Sequence, residues 1–160
     1  MQISSNISEV IRQLETYRNT LHDRMRIFME KLAEIGAADA RVRFETAKYE
    51  GDNDVTVSEP EWISENTLQI TASGGAVLFI EFGAGYQLGF GHEKAAEMGY
   101  GPGTWSEGPE GKEHWLDPDG WYYRHGEKTI GNPPARAMME AANLMRERIT
   151  EIAREVFGND

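Results

Sequence analysis

One carboxylate and a few histidines are the residues of this chain best placed to carry out chemistry. Glu81 interrupts an apolar run at 76–82, and apolar neighbours could fit a carboxylate for acid–base catalysis. The segment that follows, 83–131, holds three histidines that could assist it: His92, His114 and His125. The simpler interpretation is that Glu81 faces solvent or binds the loop backbone near Gly83.

Other catalytic and cofactor motifs are missing. GHEKAAEMG at 91–99 begins like a zinc-protease helix, but Ala96 stands where the second histidine is needed. The chain has no cysteine, which excludes a disulfide, a thiol nucleophile and a cysteine zinc site. It contains no G-x-S-x-G elbow and no P-loop. We therefore expect no metal, no cofactor and no catalytic residue.

The charge is strongly acidic, with 27 Asp and Glu against 16 Lys and Arg and a net charge of −11. The surplus lies in the middle: 36–82 carries 9 acids and 3 bases, and 83–131 carries 8 and 4. A groove that grips nucleic-acid phosphates is therefore not expected. Solubility through self-repulsion explains the acids most simply. A functional interpretation is a surface that must not hold a polyanion, such as a channel through which DNA slides.

The length of 160 residues fits a single domain. No apolar run approaches the ~18 residues of a membrane span. The start, MQISSNISEV, does not resemble a secretory signal peptide. We expect one domain over 1–160 and no membrane partner.

A long helix is predicted over 7–35, because apolar residues recur there at alternating steps of three and four. Asn6 and Glu9 fit a capping box, and Gly36 fits a helix end. Such a helix could lie across its own sheet or also pack on another subunit, since a sustained heptad favours a partner helix.

A small antiparallel sheet of three to four strands is predicted over 40–82. Residues 40–49 alternate, with Val42 and Phe44 inward. A short strand at 55–57 follows, and Pro60 stops it. A hairpin is predicted with arms at 67–73 and 76–82 and a turn at Gly74-Gly75. Its second arm is expected to be the central strand of the sheet.

Segment 83–131 is predicted to be a long ordered loop. It holds 12 of the 17 glycines and many aromatic residues. Because disordered linkers lack aromatic residues, we expect this segment to become ordered by packing against another surface. A short helix at 92–98 and a strand at 121–123 fit within it. A last amphipathic helix follows over 133–157, capped near Asn132. The order of elements predicts an α+β fold.

Two stretches of sequence carry a family resemblance. Phe79-Ile80-Glu81-Phe82-Gly83 closes an apolar run, and Gly131-Asn132-Pro133-Pro134-Ala135-Arg136 leads into the last helix. With the long insertion between them, they resemble the tail-component family of long-tailed bacteriophages and prophages, which includes the neck, tail-completion and Z-like minor tail proteins. Its members commonly have Thr where this chain has Ala84. The family-motif residues carried over are Glu81, Phe82, Gly83, Pro133 and Pro134.

The resemblance implies a structural virion protein and not an enzyme. It implies a homo-oligomeric ring, sixfold, at the head–tail joint, assembled in the host cytoplasm beside other neck, connector and tail proteins. DNA would pass through the ring without being specifically bound. The loop and last helix would then supply partner contacts, with these interface candidates: Trp105, Trp115, Trp121, Met138 and Met145. The tryptophans could instead pin the loop to its own sheet, and the methionines could be core.

Two alternatives remain open at this point. One is a small metal-dependent hydrolase that uses Glu81 with the loop histidines. The other is an acidic inhibitor or immunity-type binding module, whose charge would mimic nucleic acid.

Overall fold

A computed structural model describes residues 4–85, 91–95, 97, 121–122 and 128–158. In chain order its elements are α1 (Ser4–Glu45), β1 (Thr56–Val57), β2 (Glu61–Ser64), β3 (Thr67–Gln69), β4 (Ala72–Ser73), α2 (Val77–Phe82), β5 (Trp121–Tyr122), β6 (Lys128–Thr129) and α3 (Ala137–Phe157). The predicted α+β class, with a long first helix, a small antiparallel β region and a last helix, is confirmed.

Helix α1 is ten residues longer at its C-terminal end than predicted. It continues through Gly36 to Glu45, so the predicted helix end at Gly36 and the strand at 40–49 are both wrong. Gly36 is buried in this part of the helix, as are the side chains of Ala33, Ala37, Ala40 and Phe44. Their steps of four and three continue the helical period, whereas Val42, expected to face inward, is 56% exposed.

Helix α3 runs antiparallel to α1 and covers only its C-terminal half. The rings of Phe28 and Phe157 lie 6.0 Å apart, and Lys31 pairs with Glu155. Further along, Gly36 lies against the side chain of Met145. Because α3 ends level with Phe28, the earlier turns of α1 extend beyond it. We call residues 6–25 the projecting segment.

The strands form three separate two-stranded antiparallel ladders among the described residues, not one sheet. β1 pairs with β4, β2 with β3, and β5 with β6. The predicted short strand at 55–57 is confirmed at Thr56–Val57. Trp62 of β2 joins this region to α1: its indole N–H donates to Glu30 Oε1 at 2.8 Å, and the Arg26 guanidinium lies 4.3 Å from its ring centre.

The predicted hairpin between 67–73 and 76–82 is wrong. Residues 77–82 form helix α2, and the strand before it pairs with β1. The Asp54 carboxylate accepts the N–H groups of Gly75 and Ala76, the two residues just before the helix, at 2.7 and 2.9 Å. Ile80 of this helix and Ala76, which precedes the helix, form a buried cluster with Phe44 and Ala137.

The last helix begins later than predicted. The expectation was 133–157 with a cap near Asn132, but α3 starts at Ala137 and the prolines precede it in backbone without regular secondary structure. Most of the predicted loop at 83–131 lies outside the described residues. Within it, Trp121–Tyr122 confirms part of the strand predicted at 121–123. The helix predicted over 92–98 is not found: residues 93–95 form a turn, and 96 and 98 lie outside the described residues. None of the described helices combines the length and apolar character of a membrane span.

Candidate functional site

The two stretches that carry the family resemblance lie side by side. Ala84 and Asn132 exchange backbone hydrogen bonds, 3.0 Å in each direction. Ala135 N–H donates to Ile80 O at 2.7 Å, and Arg136 N–H donates to Glu81 O at 3.1 Å. We call residues 79–84 together with 131–136 the junction. It holds the end of α2 against the start of α3, although the two stretches are far apart in sequence.

Two glycines make the close approach possible. Gly83 has φ +80°, and a Cβ there would lie 2.8 Å from the Pro134 nitrogen. Gly131 has φ +105°, and a Cβ there would lie 1.9 Å from Ala84 O. Any side chain would both strain the backbone and push the two stretches apart. The positive φ and the closeness of Pro134 therefore explain why position 83, one of the family-motif positions, is a glycine.

Glu81 caps helix α3. Its Oε2 accepts the Met138 N–H at 2.9 Å, and its Oε1 accepts the Met139 N–H at 3.2 Å. The residue at the helix boundary, Arg136, is left-handed at φ 55° and makes no side-chain cap of its own. The carboxylate from α2 therefore satisfies the free N–H groups, and its charge suits the positive end of the helix dipole.

His92 completes the environment of Glu81. Its Nε2 lies 3.3 Å from Glu81 Oε1, and its Nδ1 accepts the Lys94 N–H at 3.1 Å. This network assigns the ring proton to Nε2, which donates to Glu81. The imidazole also lies 4.4 Å from the Phe82 ring, measured between centres. One interpretation of the sequence was that Glu81 acts together with the loop histidines. His92 does lie next to Glu81. His114 and His125 lie outside the described residues.

The geometry of Glu81 is that of a structural carboxylate. It is 6% exposed and His92 is 8% exposed. Each carboxylate oxygen already accepts a backbone N–H, and His92 adds a third donor. One expectation was that Glu81 binds the loop backbone near Gly83. This was wrong, because the backbone N–H groups that bind Glu81 belong to α3. No signal within 76–82 shows where its partners are.

Asn132 and Arg136 bind the junction to its surroundings. Asn132 is buried, and its Nδ2 donates to Phe79 O at 2.8 Å. Its Oδ1 has no hydrogen-bond partner among the described residues. The Arg136 guanidinium donates to Gly91 O, next to His92. Asn132 was expected to cap α3, but instead it holds the end of α2.

The interface candidates are distributed unevenly. Met145 packs on Gly36, and half-buried Met138 packs on the core cluster, so both make contacts within the chain. Trp121 lies in β5, while Trp105 and Trp115 lie outside the described residues. Of the two motif prolines, Pro134 is half-buried against Gly83 and Pro133 is exposed.

The described part of the chain contains no group of three side chains that could hold a metal ion. Comparison with known proteins adds no relative: no family model, no curated protein and no solved structure matches this chain.

Proposed function

We propose that the protein is a structural component of a tailed-phage virion, forming a homo-oligomeric ring, sixfold, at the head–tail joint. The observation that carries the proposal is the junction. The stretches 79–83 and 131–136, on which the family resemblance rests, form one hydrogen-bonded unit around Glu81. A shared motif whose residues support one another is more specific than two separate similarities.

The acidic residues of the β region support passage of DNA through such a ring. Seven of the nine acids in 36–82 are exposed: Glu45, Glu50, Asp52, Asp54, Glu59, Glu61 and Glu65. Two of the three bases are occupied, since Arg41 pairs with Glu59 at 2.8 Å and Arg43 with Asp39 at 2.6 Å. A surface of this kind repels phosphates instead of holding them. We propose that this side of the protein faces the DNA.

The geometry favours this role over the hydrolase alternative. A general base needs a free lone pair directed at a substrate. The Glu81 carboxylate is instead turned into the start of α3, where it accepts two backbone N–H groups, and His92 donates to it. Glu81 and His92 are the obvious acid–base pair of the described residues, and both are used for structure.

Electron microscopy of phage particles tests the proposal directly. In the phage or prophage that encodes this chain, deleting the protein should leave filled heads and separate tails. Particles that do form a joint should lack one ring of density there. Restoring the wild-type chain should restore joined particles. Intact infectious particles in the deletion strain would overturn the proposal.

Variant His92→Gln separates assembly from catalysis. Glutamine can still donate a hydrogen bond to Glu81 but cannot act as an acid or base at neutral pH. A structural role predicts joined particles and a wild-type titre. Joined particles without infectivity, from a variant with wild-type thermal stability, would instead support a catalytic role.

A further inference from the structure

The projecting segment displays a stripe of exposed apolar side chains. Its members are Ile7, Ile11, Leu14, Leu21 and Met25, each between 42 and 61% exposed. They occupy successive positions of a three-and-four repeat, with Arg18 in the one remaining place. Scattered apolar residues on a surface are ordinary, but a continuous stripe is typical of a binding surface.

The stripe continues a seam that is already packed. From Phe28 onward the same side of α1 faces α3, as the contact between Phe28 and Phe157 shows. The uncovered part is 20 residues, or about 30 Å of helix. A helix of this kind gains most of its stability from packing of its apolar side and little from its own hydrogen bonds. The projecting segment therefore needs a second helix where α3 stops.

We propose that the projecting segment of a second copy of this chain covers the stripe, running antiparallel. Helix α3 is itself antiparallel to α1, so the second copy's helix extends its line and polarity. Pairing about position 16 sets Ile7 opposite Met25, Ile11 opposite Leu21, and Leu14 opposite Arg18 of the other copy. Each stripe residue then has a partner, and the covered length on each copy equals the length that α3 leaves free.

Charge selects the antiparallel direction. In a parallel pair, Arg18 would face its own copy across the seam, with two like charges in contact. In the antiparallel pair it lies beside Leu14 and Glu15 of the second copy, and two Glu15 and two Arg18 surround the twofold axis. The projecting segment also carries three acids and three bases, although the whole chain has a net charge of −11. Two copies therefore meet where their mutual repulsion is least.

This pair describes the free protein and does not rest on the proposed function. Its contact is twofold and uses the same surface on both copies, whereas neighbours in a cyclic ring use different surfaces. The two proposals can fail independently. Sedimentation can show a dimer even if the deletion strain makes intact particles, and it can show a monomer even if the deletion separates heads from tails.

Sedimentation of the purified chain measures the association. We expect the mass to rise from 18.0 kDa towards twice that value as concentration increases. Leu14→Asp and Leu21→Asp should each keep the protein monomeric while the circular dichroism of the folded core persists. Ile63→Asp is the matched control, because Ile63 is 57% exposed but lies off the stripe, and it should leave dimerisation unchanged. A wild-type chain that stays monomeric throughout would overturn the proposal.

Cysteine cross-linking measures the direction, since the chain has no cysteine of its own. Ile11→Cys and Leu21→Cys are purified separately and oxidised alone or mixed. Only the mixture should give a disulfide-linked dimer, because residues 11 and 21 face each other in the antiparallel pair and like positions lie about 15 Å apart along the axis. Efficient cross-linking of each variant with itself would overturn the antiparallel arrangement.

Charge exchange provides an independent check. Arg18→Glu places four acids around the twofold axis and should abolish the dimer. Adding Glu15→Arg to it should restore the dimer, because two arginines and two glutamates then surround the twofold axis again, with their positions exchanged. Failure of the double variant to recover would contradict the proposed contact.

Discussion

Gly36, in the middle of α1, lies directly against the thioether of Met145 in α3. A Cβ at Gly36 would be 2.5 Å from Met145 Sδ and 2.9 Å from its Cγ. Glycine usually weakens a helix interior by about 1 kcal/mol relative to alanine. Here the missing side chain lets the second helix approach, so the cost in α1 is offset by packing between α1 and α3.

The effect of Gly36→Ala should therefore depend on residue 145. In the wild-type chain we expect it to lower the free energy of unfolding by about 1 kcal/mol, because overpacking outweighs helix propensity. In a Met145→Ala background the same change should raise stability by up to about 1 kcal/mol, since the crowding atoms are gone. Urea denaturation of the four proteins measures both effects. An equal effect in both backgrounds would show that Met145 does not set the cost.

The second prediction concerns the cap on α3. Glu81→Gln replaces one accepting oxygen by an amide nitrogen, which leaves the N–H of Met138 or Met139 without its partner. We expect a loss of about 1–3 kcal/mol in the free energy of unfolding. Glu147→Gln, on the exposed side of the same helix, is the control and should change it by less than about 0.5 kcal/mol. Equal losses from the two variants would contradict the capping role.

The third prediction is that the Asp54 carboxylate makes the stability of the folded chain depend on pH. The N–H groups of Gly75 and Ala76 hold the pKa of its carboxyl below the ordinary value. Because the pKa is lower in the folded chain than in the unfolded one, where it is about 3.9, the stabilisation is present above that pH. It is lost as the pH falls through the folded pKa. The stability difference between wild type and Asp54→Asn should therefore be largest above about pH 4 and shrink below it.

Thermal melting across the pH range tests this dependence. Asp52→Asn, two residues away and also exposed, is the matched control. At neutral pH it should lower the melting temperature by less than Asp54→Asn does, because Asp54 and not Asp52 accepts the N–H groups of Gly75 and Ala76. If the gap between Asp54→Asn and wild type stayed constant down to the lowest pH, the carboxylate would not be the stabilising group.

The last prediction rests on the proposed ring. Reversing two exposed acids of the β region, Glu61→Lys and Glu65→Lys, should leave joined particles but slow DNA release, because lysines attract the passing phosphates. The delay should shorten as salt is added, since salt screens exposed charges. Release is followed with a DNA-binding dye outside purified virions. Glu147→Lys on α3 should have no effect; an equal delay from it would show that the β region does not face the DNA.

The long helix and the α+β class could be predicted from sequence because both depend on local periodicity. The end of α1 could not, because Ala40 and Phe44 suit a strand alternation as well as a helical step of four. The packing of Phe44 against Ala137 of α3 favours the helix. Likewise the run at 76–82 has the β-branched and aromatic character of a strand, yet residues 77–82 are helical, and the backbone just before them is bound by Asp54, a residue more than twenty positions earlier.

Glu81 shows the same limit for the site. Its position among apolar residues marked it as unusual, which was correct. Its role could not be read locally, because both of its N–H donors come from the start of α3, 57 and 58 residues away. The sequence could supply the residues around this glutamate, and the junction shows why Gly83 and Gly131 accompany it: both have positive φ and close backbone neighbours.

The pairing of α1 with α3 also sets the order in which this chain folds. Lys31 and Glu155 lie 124 positions apart in the sequence, whereas the hydrogen bonds of α1 are local. Local structure forms in microseconds, and contacts between distant segments must first overcome the entropy of closing a long loop. Turns of helix α1 therefore form early, and its apolar side stays bare until its distant partner arrives to stabilise them. That interval is when newly made chains are most prone to aggregate. Low protein concentration slows association between chains but not closure within one chain, so it should raise the refolding yield.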